Sequence, residues 1–279
     1  MQDGHDFNSG IACEPLTRQR QGYMASKAKK LERTNRECFL DAAGPLDHPL
    51  YRQPEILTEE RHDRLCLAPA SDFRFARHIV AAPLADDEFG EAGRFYPVIF
   101  TDVDAIPMAV LGQDDNAFVD QDGQWHPAGS YIPKFLRCYP FLLMQDEDRL
   151  SLGIDLACER VNESVGEPLF VDDEPSELLS EAFRACEEFD VRHQRARELS
   201  AALEAQNILA RESVTLRLPG GQRYCSNTIK YVDRELLLSL PPNVVQAWHS
   251  NGWLELVHFH LASLGRFKDV TERLPRIVH

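Results

Sequence analysis

The sequence predicts an α+β protein, with a mostly antiparallel sheet in its N-terminal half, a long helix, a β-hairpin and C-terminal helices. Three observations carry this prediction. Short β-rich runs bounded by turn formers occupy residues 51–155, one strongly periodic helical segment follows, and apolar stripes at helical spacing fill the last part of the chain. Strands that precede helices without regular alternation are typical of α+β folds rather than of parallel βαβ folds.

The predicted strands lie upstream of the long helix. Residues 95–100 and 108–112 are short runs rich in apolar and β-branched residues, and residues 150–154 alternate between apolar and polar side chains. The dipeptide at 122–123 is Asp-Gly, which strongly favours a hairpin turn. These features predict short strands joined by tight turns.

The strongest helical signal runs from about Pro175 to Gln206. Apolar residues recur there at three- and four-residue steps, with acidic residues crowded at the start and arginines further on, as the helix dipole favours. Pro175 fits a first helical turn. Alternation over residues 214–218 before the Pro-Gly-Gly of residues 219–221 then predicts a hairpin, and apolar spacing over residues 254–264 predicts a C-terminal helix.

Composition excludes several classes of partner. The chain has 279 residues, of which 43% are hydrophobic and 27% charged, as in ordinary globular proteins. Its formal net charge of −15 argues against a nucleic-acid binder and against attraction to an anionic membrane, because both partners require a basic surface. We therefore expect no nucleic-acid partner.

The cysteines and the apolar stretches indicate a location. The seven cysteines lie 20 or more residues apart without a CxxC pair, which favours free thiols in a reducing compartment. The most apolar stretch near the middle, residues 79–85, is far shorter than the roughly 20 residues of a membrane span. Residues 1–10 carry no apolar signal segment. We predict a cytoplasmic protein without a membrane span.

The domain organisation is predicted from a change in composition. Residues 1–50 show little apolar periodicity, so we expect a disordered or additional N-terminal segment, with Met24 as an alternative start. Residues 51–270 form one predicted globular domain, and residues 271–279 form a C-terminal tail.

No familiar catalytic motif is present in the sequence. It lacks GxGxxG, GxxxxGK[ST], GxSxG and HExxH, so we predict no cofactor and a protein that is not an enzyme. The alternative is an unfamiliar, metal-assisted enzyme that uses Glu255, His258 and His260. On a helix the two imidazoles diverge by about 200°, which favours satisfied or surface histidines instead.

The aromatic segment at residues 120–141 is the strongest candidate for binding. It combines a tight turn with aromatic, proline and basic residues, the composition of protein-binding hot spots. Large aromatic side chains also pack in cores, and both interpretations are open. The candidate ligand- or partner-binding residues are Trp125, His126, Tyr131, Arg137 and Tyr139.

Five motifs in the chain resemble the SapC family of bacterial proteins. They are RFYPVIF (residues 94–100), FVDQDGQW (118–125), GSYIPKFLRCYPF (129–141), GEPLF (166–170) and GWLELVHFHLASLGRF (252–267). Their order and spacing are similar to those of the family over about residues 50–267. The resemblance therefore identifies residues 51–270 as a SapC-like domain.

The resemblance implies an accessory role rather than a defined reaction. The family takes its name from a surface-layer gene region, and members tend to be encoded near outer-membrane receptors, tryptophan-halogenase-like proteins and cupin-like oxygenases. A protein or peptide partner is implied, in nutrient uptake or peptide modification, and no catalytic residues are. A permease label used for some members is untenable without a span. A surface-layer component is a further alternative, from the name alone.

Overall fold

The computed structural model describes residues 48–113, 115–146, 149–217 and 223–273. The chain divides into two units, Met1–Cys38 and Phe39–His279, and every described residue lies in the second. The predicted segment at residues 1–50 therefore falls almost wholly outside the described residues, as does residue 274 onward in the predicted tail. His48 and Leu50 are described and buried, so the packed core begins no later than residue 48.

The described strands are short except for the last two. In chain order they are β1 (Pro54–Ile56), β2 (Cys66–Leu67), β3 (Ala81–Pro83), β4 (Val98–Thr101), β5 (Pro107–Val110), β6 (Phe141–Asp146), β7 (Arg149–Asp155), β8 (Val161–Asn162), β9 (Glu167–Pro168), β10 (Phe170–Val171), β11 (Glu174–Pro175), β12 (Leu209–Arg217) and β13 (Arg223–Val232). The helices are α1 (Glu59–His62), α2 (Phe89–Ala92), α3 (Lys134–Cys138), α4 (Glu177–Ala205), α5 (Arg234–Leu238), α6 (Pro242–Ser250), α7 (Trp253–Ser263) and α8 (Phe267–Arg273).

All strand pairs among the described residues are antiparallel, as predicted. A central five-stranded sheet has the order β12-β13-β4-β5-β3, and a second sheet has the order β1-β7-β6. A small sheet, β8-β2-β9, and the pair β10-β11 complete the set. Together with the long helix and the C-terminal helices, these sheets make the fold α+β, which confirms the predicted class.

The central sheet is covered on both faces. Every residue of β4 is buried, although side chains along a strand point alternately to opposite faces. Val98 and Phe100 belong to the main core cluster, whereas Ile99 packs with Met108 and Ile229 in a second cluster. A strand buried on both faces reads as one continuous apolar run, which is the pattern of residues 95–100.

The long helix follows its predicted bounds closely. α4 covers Glu177–Ala205, and the Ser176 hydroxyl caps it by accepting the Leu179 N–H. Its buried stripe includes Phe189 and Leu199. Pro175 does not enter the first turn as predicted, because it pairs within β11, and Ser176 takes the capping position.

The C-terminal part of the chain joins the central sheet through a hairpin. β12 and β13 pair over their whole length with one irregularity after Val214, as the alternation predicted. The predicted turn at residues 219–221 lies outside the described residues. Asp233 caps α5 by accepting two backbone N–H groups, and Gly252, at a φ of 76°, separates α6 from α7.

Candidate functional site

The structure divides the predicted aromatic binding residues between core and surface. Trp125 is 8% exposed and Tyr139 is 5% exposed, so both rings pack inside the protein. His126 and Arg137 are exposed, and Tyr131 is half-buried. The five residues therefore do not form one continuous surface. Only His126, Tyr131 and Arg137 present substantial area to a partner.

The predicted hairpin turn before Trp125 is present and is held by Asp120. One Asp120 carboxylate oxygen accepts the backbone N–H groups of Asp122 and Gln124, at 2.9 and 2.8 Å. The other lies 2.9 Å from His126 Nε2. The Gln124 N–H, with help from Asp122 and His126, lowers the pKa of Asp120 below its ordinary value. Both carboxylate oxygens of Asp120 are therefore occupied by residues in and next to the turn.

Trp125 is fixed in the core by a chain of hydrogen bonds. Its indole N–H donates to the Tyr96 phenol oxygen at 3.1 Å, and the Tyr96 hydroxyl donates onward to the Tyr131 carbonyl. Phe118 packs edge-on against Tyr96 at 4.6 Å between centroids. The motif that contains Trp125 is thus explained by packing, with the polar tip of each buried ring satisfied.

Tyr131 contacts Arg137 directly and also binds a buried carboxylate, Glu88, that the sequence analysis missed. Glu88 is fully buried, and its Oε1 accepts the Tyr131 hydroxyl at 3.0 Å and the Lys134 N–H at 2.7 Å. Its Oε2 accepts the Ala85 N–H at 2.7 Å. Arg137 donates to the Tyr131 oxygen at 3.1 Å. Burial raises the pKa of Glu88, and the Lys134 N–H opposes that shift.

A cavity of about 640 Å³ has Tyr139 in its wall. The Tyr139 ring stacks on Phe75 with 4.6 Å between centroids and 19° between planes. Leu50, Ile79 and Cys158 are further buried lining residues. The volume falls within the range of small-molecule and peptide-end pockets, and the lining is apolar at its base.

Three arginines line this cavity. Arg52, Arg74 and Arg160 line it together with Asp72 and Glu159. Arg74 pairs with Asp72 at 3.2 Å. Within the described part of the chain, Arg52 and Arg160 have no carboxylate partner, and each donates one hydrogen bond to a backbone carbonyl, at 2.7 and 2.9 Å. A guanidinium has five N–H donors, so donors remain for a ligand.

Asp155 holds the cavity wall in place. It is fully buried at the end of β7, where its Oδ2 accepts the Tyr139 hydroxyl at 3.0 Å. Its Oδ1 accepts the backbone N–H groups of Gln53 and Ala157, at 2.7 and 3.1 Å. Ala157 is the residue whose carbonyl accepts Arg52. The Asp155 carboxylate therefore holds the Tyr139 ring in the cavity wall. It also holds the backbone at Gln53, next to Arg52, and at Ala157, whose carbonyl accepts Arg52. These bonds leave the cavity preformed.

The metal-binding alternative does not survive in the structure. His260 is fully buried, its Nδ1 lies 2.8 Å from the Val98 carbonyl, and its Nε2 accepts the Val232 N–H at 3.0 Å. Glu255 and His258 are exposed. Because both ring nitrogens of His260 are occupied, the three side chains cannot share an ion. No group of three metal-ligating side chains occurs among the residues that the structure describes.

The fold and the site define an α+β protein with a preformed, arginine-rimmed aromatic cavity. A family model described as SapC matches residues 57–270, which is most of the chain. The protein therefore belongs to the SapC family, as its five motifs predicted. Neither the curated proteins nor the solved structures gave a match. In the described part of the chain, no helix is long and apolar enough to cross a membrane.

Proposed function

We propose that this SapC protein is a binding protein that takes the end of a peptide in the cavity beside Tyr139. One observation carries the proposal: an aromatic base and two arginines that pair with no carboxylate of the described residues share one preformed cavity of about 640 Å³. The Phe75–Tyr139 stack offers ring area to an apolar or aromatic side chain. Arg52 and Arg160 offer charge-assisted hydrogen bonds to a carboxylate.

The mixed charge at the opening supports a peptide over a simple anion. Asp72 and Glu159 line the cavity beside the arginines, and carboxylates accept the N–H groups that a peptide backbone donates. The ligand that fits both signs of charge and the apolar base is a peptide with an aromatic C-terminal residue and a free carboxylate. Capture of a C-terminal carboxylate is a recurring mode of peptide recognition.

The proposal extends to the setting in which the protein acts. We place it in the cytoplasm as an accessory protein, in keeping with its free thiols, beside systems for outer-membrane uptake or peptide modification. Cell fractionation tests this location. Recovery of the protein in a cell-surface wash would favour the alternative of a surface-layer component.

Peptide binding to the purified protein tests the function directly. The probes are short labelled peptides that end in Phe, Tyr or Trp, each prepared with a free C-terminal carboxylate and as the C-terminal amide. We expect the free acids to bind at least about tenfold more tightly, because a charge-assisted hydrogen bond contributes roughly 1.5–3 kcal/mol. Equal binding of acid and amide would remove the carboxylate from the proposal.

Arginine variants locate the binding site. The double substitution Arg52→Ala plus Arg160→Ala should weaken binding of the acid at least about tenfold and leave the amide little changed. Arg94→Ala removes an exposed arginine that pairs with Glu91 and should have no effect. If Arg137→Ala weakens binding instead, the ligand lies on the exposed surface around Tyr131, and the cavity is not the site.

A further inference from the structure

Two cysteine side chains meet where α3 packs against α4, outside the cavity beside Tyr139. Cys138 is the last residue of α3, and Cys186 lies in the buried stripe of α4. Both line a separate small space of about 30 Å³, next to Phe135 and Phe189. Cys138 is half-buried, whereas Cys186 is 3% exposed. The helices thus bring together two thiols that lie 48 residues apart in sequence.

The two cysteines line the same small space and differ in acidity. The hydrogen bond with the Cys186 thiol lowers the pKa of Cys138, with smaller contributions from Arg137 and Lys134. The same hydrogen bond and burial raise the pKa of Cys186. The thiolate is the reactive form of cysteine. Cys138, which is also the more exposed of the two, is therefore the residue that reacts first.

Of the other cysteines whose side chains the structure describes, neither is placed in this way. Cys158 is buried beside the Tyr139 ring in the larger cavity, and Cys66 lies in β2 with its thiol near the Arg64 carbonyl. Among the cysteines whose side chains the structure describes, Cys138 and Cys186 are the pair that line one common space. A pair with one half-buried cysteine and one buried neighbour matches the arrangement of redox-sensitive dithiols.

We propose that Cys138 and Cys186 are a redox-sensitive pair that hydrogen peroxide converts into a reversible intramolecular disulfide. The Cys138 thiolate attacks one peroxide oxygen, the O–O bond breaks, and the hydroxide that leaves takes up a proton to form water. Cys138 is then a sulfenic acid. The Cys186 sulfur attacks the Cys138 sulfur and loses its proton, the S–O bond breaks, and a second water leaves. Two electrons pass from the sulfurs to the peroxide, and an added dithiol restores both thiols.

The disulfide would connect the redox state of the protein to the cavity. Tyr139 follows Cys138 directly in sequence, and its ring forms part of the cavity wall. A covalent link between the end of α3 and α4 restrains the backbone from which that ring projects. The formation of the disulfide itself does not depend on the proposed peptide binding.

Peptide mapping without reduction tests the proposal on the full chain. The reduced protein is treated with hydrogen peroxide, remaining thiols are blocked with N-ethylmaleimide, and trypsin is added. Cleavage after Arg137 and Arg149 releases the Cys138 peptide, and cleavage after Arg184 and Arg192 releases the Cys186 peptide. We expect these two peptides to appear linked, with a mass lower by two hydrogens than their sum. Dithiothreitol should separate them.

Single substitutions provide the matched controls. Cys138→Ser and Cys186→Ser should each abolish the linked species, and Cys66→Ser should retain it. Circular dichroism shows whether each variant is folded, and the result for the unmodified chain stands without any variant. Peroxide that converts Cys138 to a sulfinic acid while Cys186 remains free would overturn the proposal. Links from either residue to a different cysteine would overturn it as well.

Discussion

His260 accepts the backbone N–H of Val232 at a distance of 3.0 Å, at the point where the β4–β13 ladder stops. The last paired residues on the ladder are Lys230 and Phe100, and two more steps in the same register would place Val232 opposite Val98. The Nδ1 of His260 donates to the Val98 carbonyl at 2.8 Å. The imidazole therefore stands where a direct hydrogen bond between the strands would be.

Replacing His260 should destabilise the protein strongly. His260→Ala leaves a buried N–H on Val232 and a buried carbonyl on Val98 without partners. Each orphaned group costs about 1–3 kcal/mol, so we expect a loss of roughly 2–6 kcal/mol in the free energy of unfolding. Urea denaturation followed by circular dichroism measures this loss.

The control for this substitution lies two residues away on the same helix. His258 is exposed, and His258→Ala should change the free energy of unfolding by no more than about 0.5 kcal/mol. Equal destabilisation by the two substitutions would show that the helix surface, rather than the bridge between the strands, determines the effect.

The buried histidines predict that stability falls in mild acid. Burial lowers the pKa of His48 and of His260 from 6.5 to about 4. Between these pH values the two histidines are protonated in the unfolded chain and neutral in the folded protein. Their contribution to the free energy of unfolding is therefore fully present above pH 6.5 and is lost as the pH falls towards 4. Each shift corresponds to roughly 3 kcal/mol across that window. Urea midpoints measured at half-unit steps of pH should follow this decline.

A difference profile isolates the contribution of one histidine. The raised pKa of Glu88 acts with the opposite sign, because the folded protein then holds a proton that the unfolded chain has released. Comparing the unmodified protein with His260→Gln removes this common background. The variant should show a shallower slope between pH 6.5 and 4. Parallel profiles would contradict the assignment of the slope to His260.

Truncation of Trp125 should reveal a core residue rather than a surface anchor. Trp125→Ala removes a large buried ring and the hydrogen bond to Tyr96, and we expect a loss of roughly 3–5 kcal/mol in the free energy of unfolding. Trp125→Phe keeps most of the packing and should cost less. Guanidinium denaturation measures both losses. If the Trp125→Ala protein were as stable as the unmodified one, Trp125 would not be a core residue, and its predicted role in binding would stand.

The fold was predictable where its signals are local. Helical periodicity depends on residues three and four apart, which is why α4 was bounded to within two residues at its start. The Asp-Gly turn before Trp125 is equally local. Aromatic content, in contrast, is the same in a core and in a binding surface. The sequence could not decide that Trp125 and Tyr139 are buried while His126 is exposed.

The parts of the site that the sequence missed depend on distant contacts. Asp155 joins Gln53 across 102 positions of sequence, and the same carboxylate holds Tyr139 in the cavity wall. In the sequence, Glu88 is the last of three consecutive acidic residues, which on their own are typical of a solvated loop or a helix start. Its burial follows from the packing of Lys134, 46 residues later. No periodicity or spacing in one sequence records such pairings.

The bridge between the strands depends on residues that the ribosome adds late. Val98 lies in β4, in which every residue is buried. Its carbonyl bonds to a histidine 162 positions further along the chain, and its N–H donates to Ser263. A nascent chain that ends before residue 260 therefore lacks both His260 and Ser263, and the two buried polar groups of Val98 have no partner from these residues. The nascent chain is exposed to misfolding until the final helices emerge.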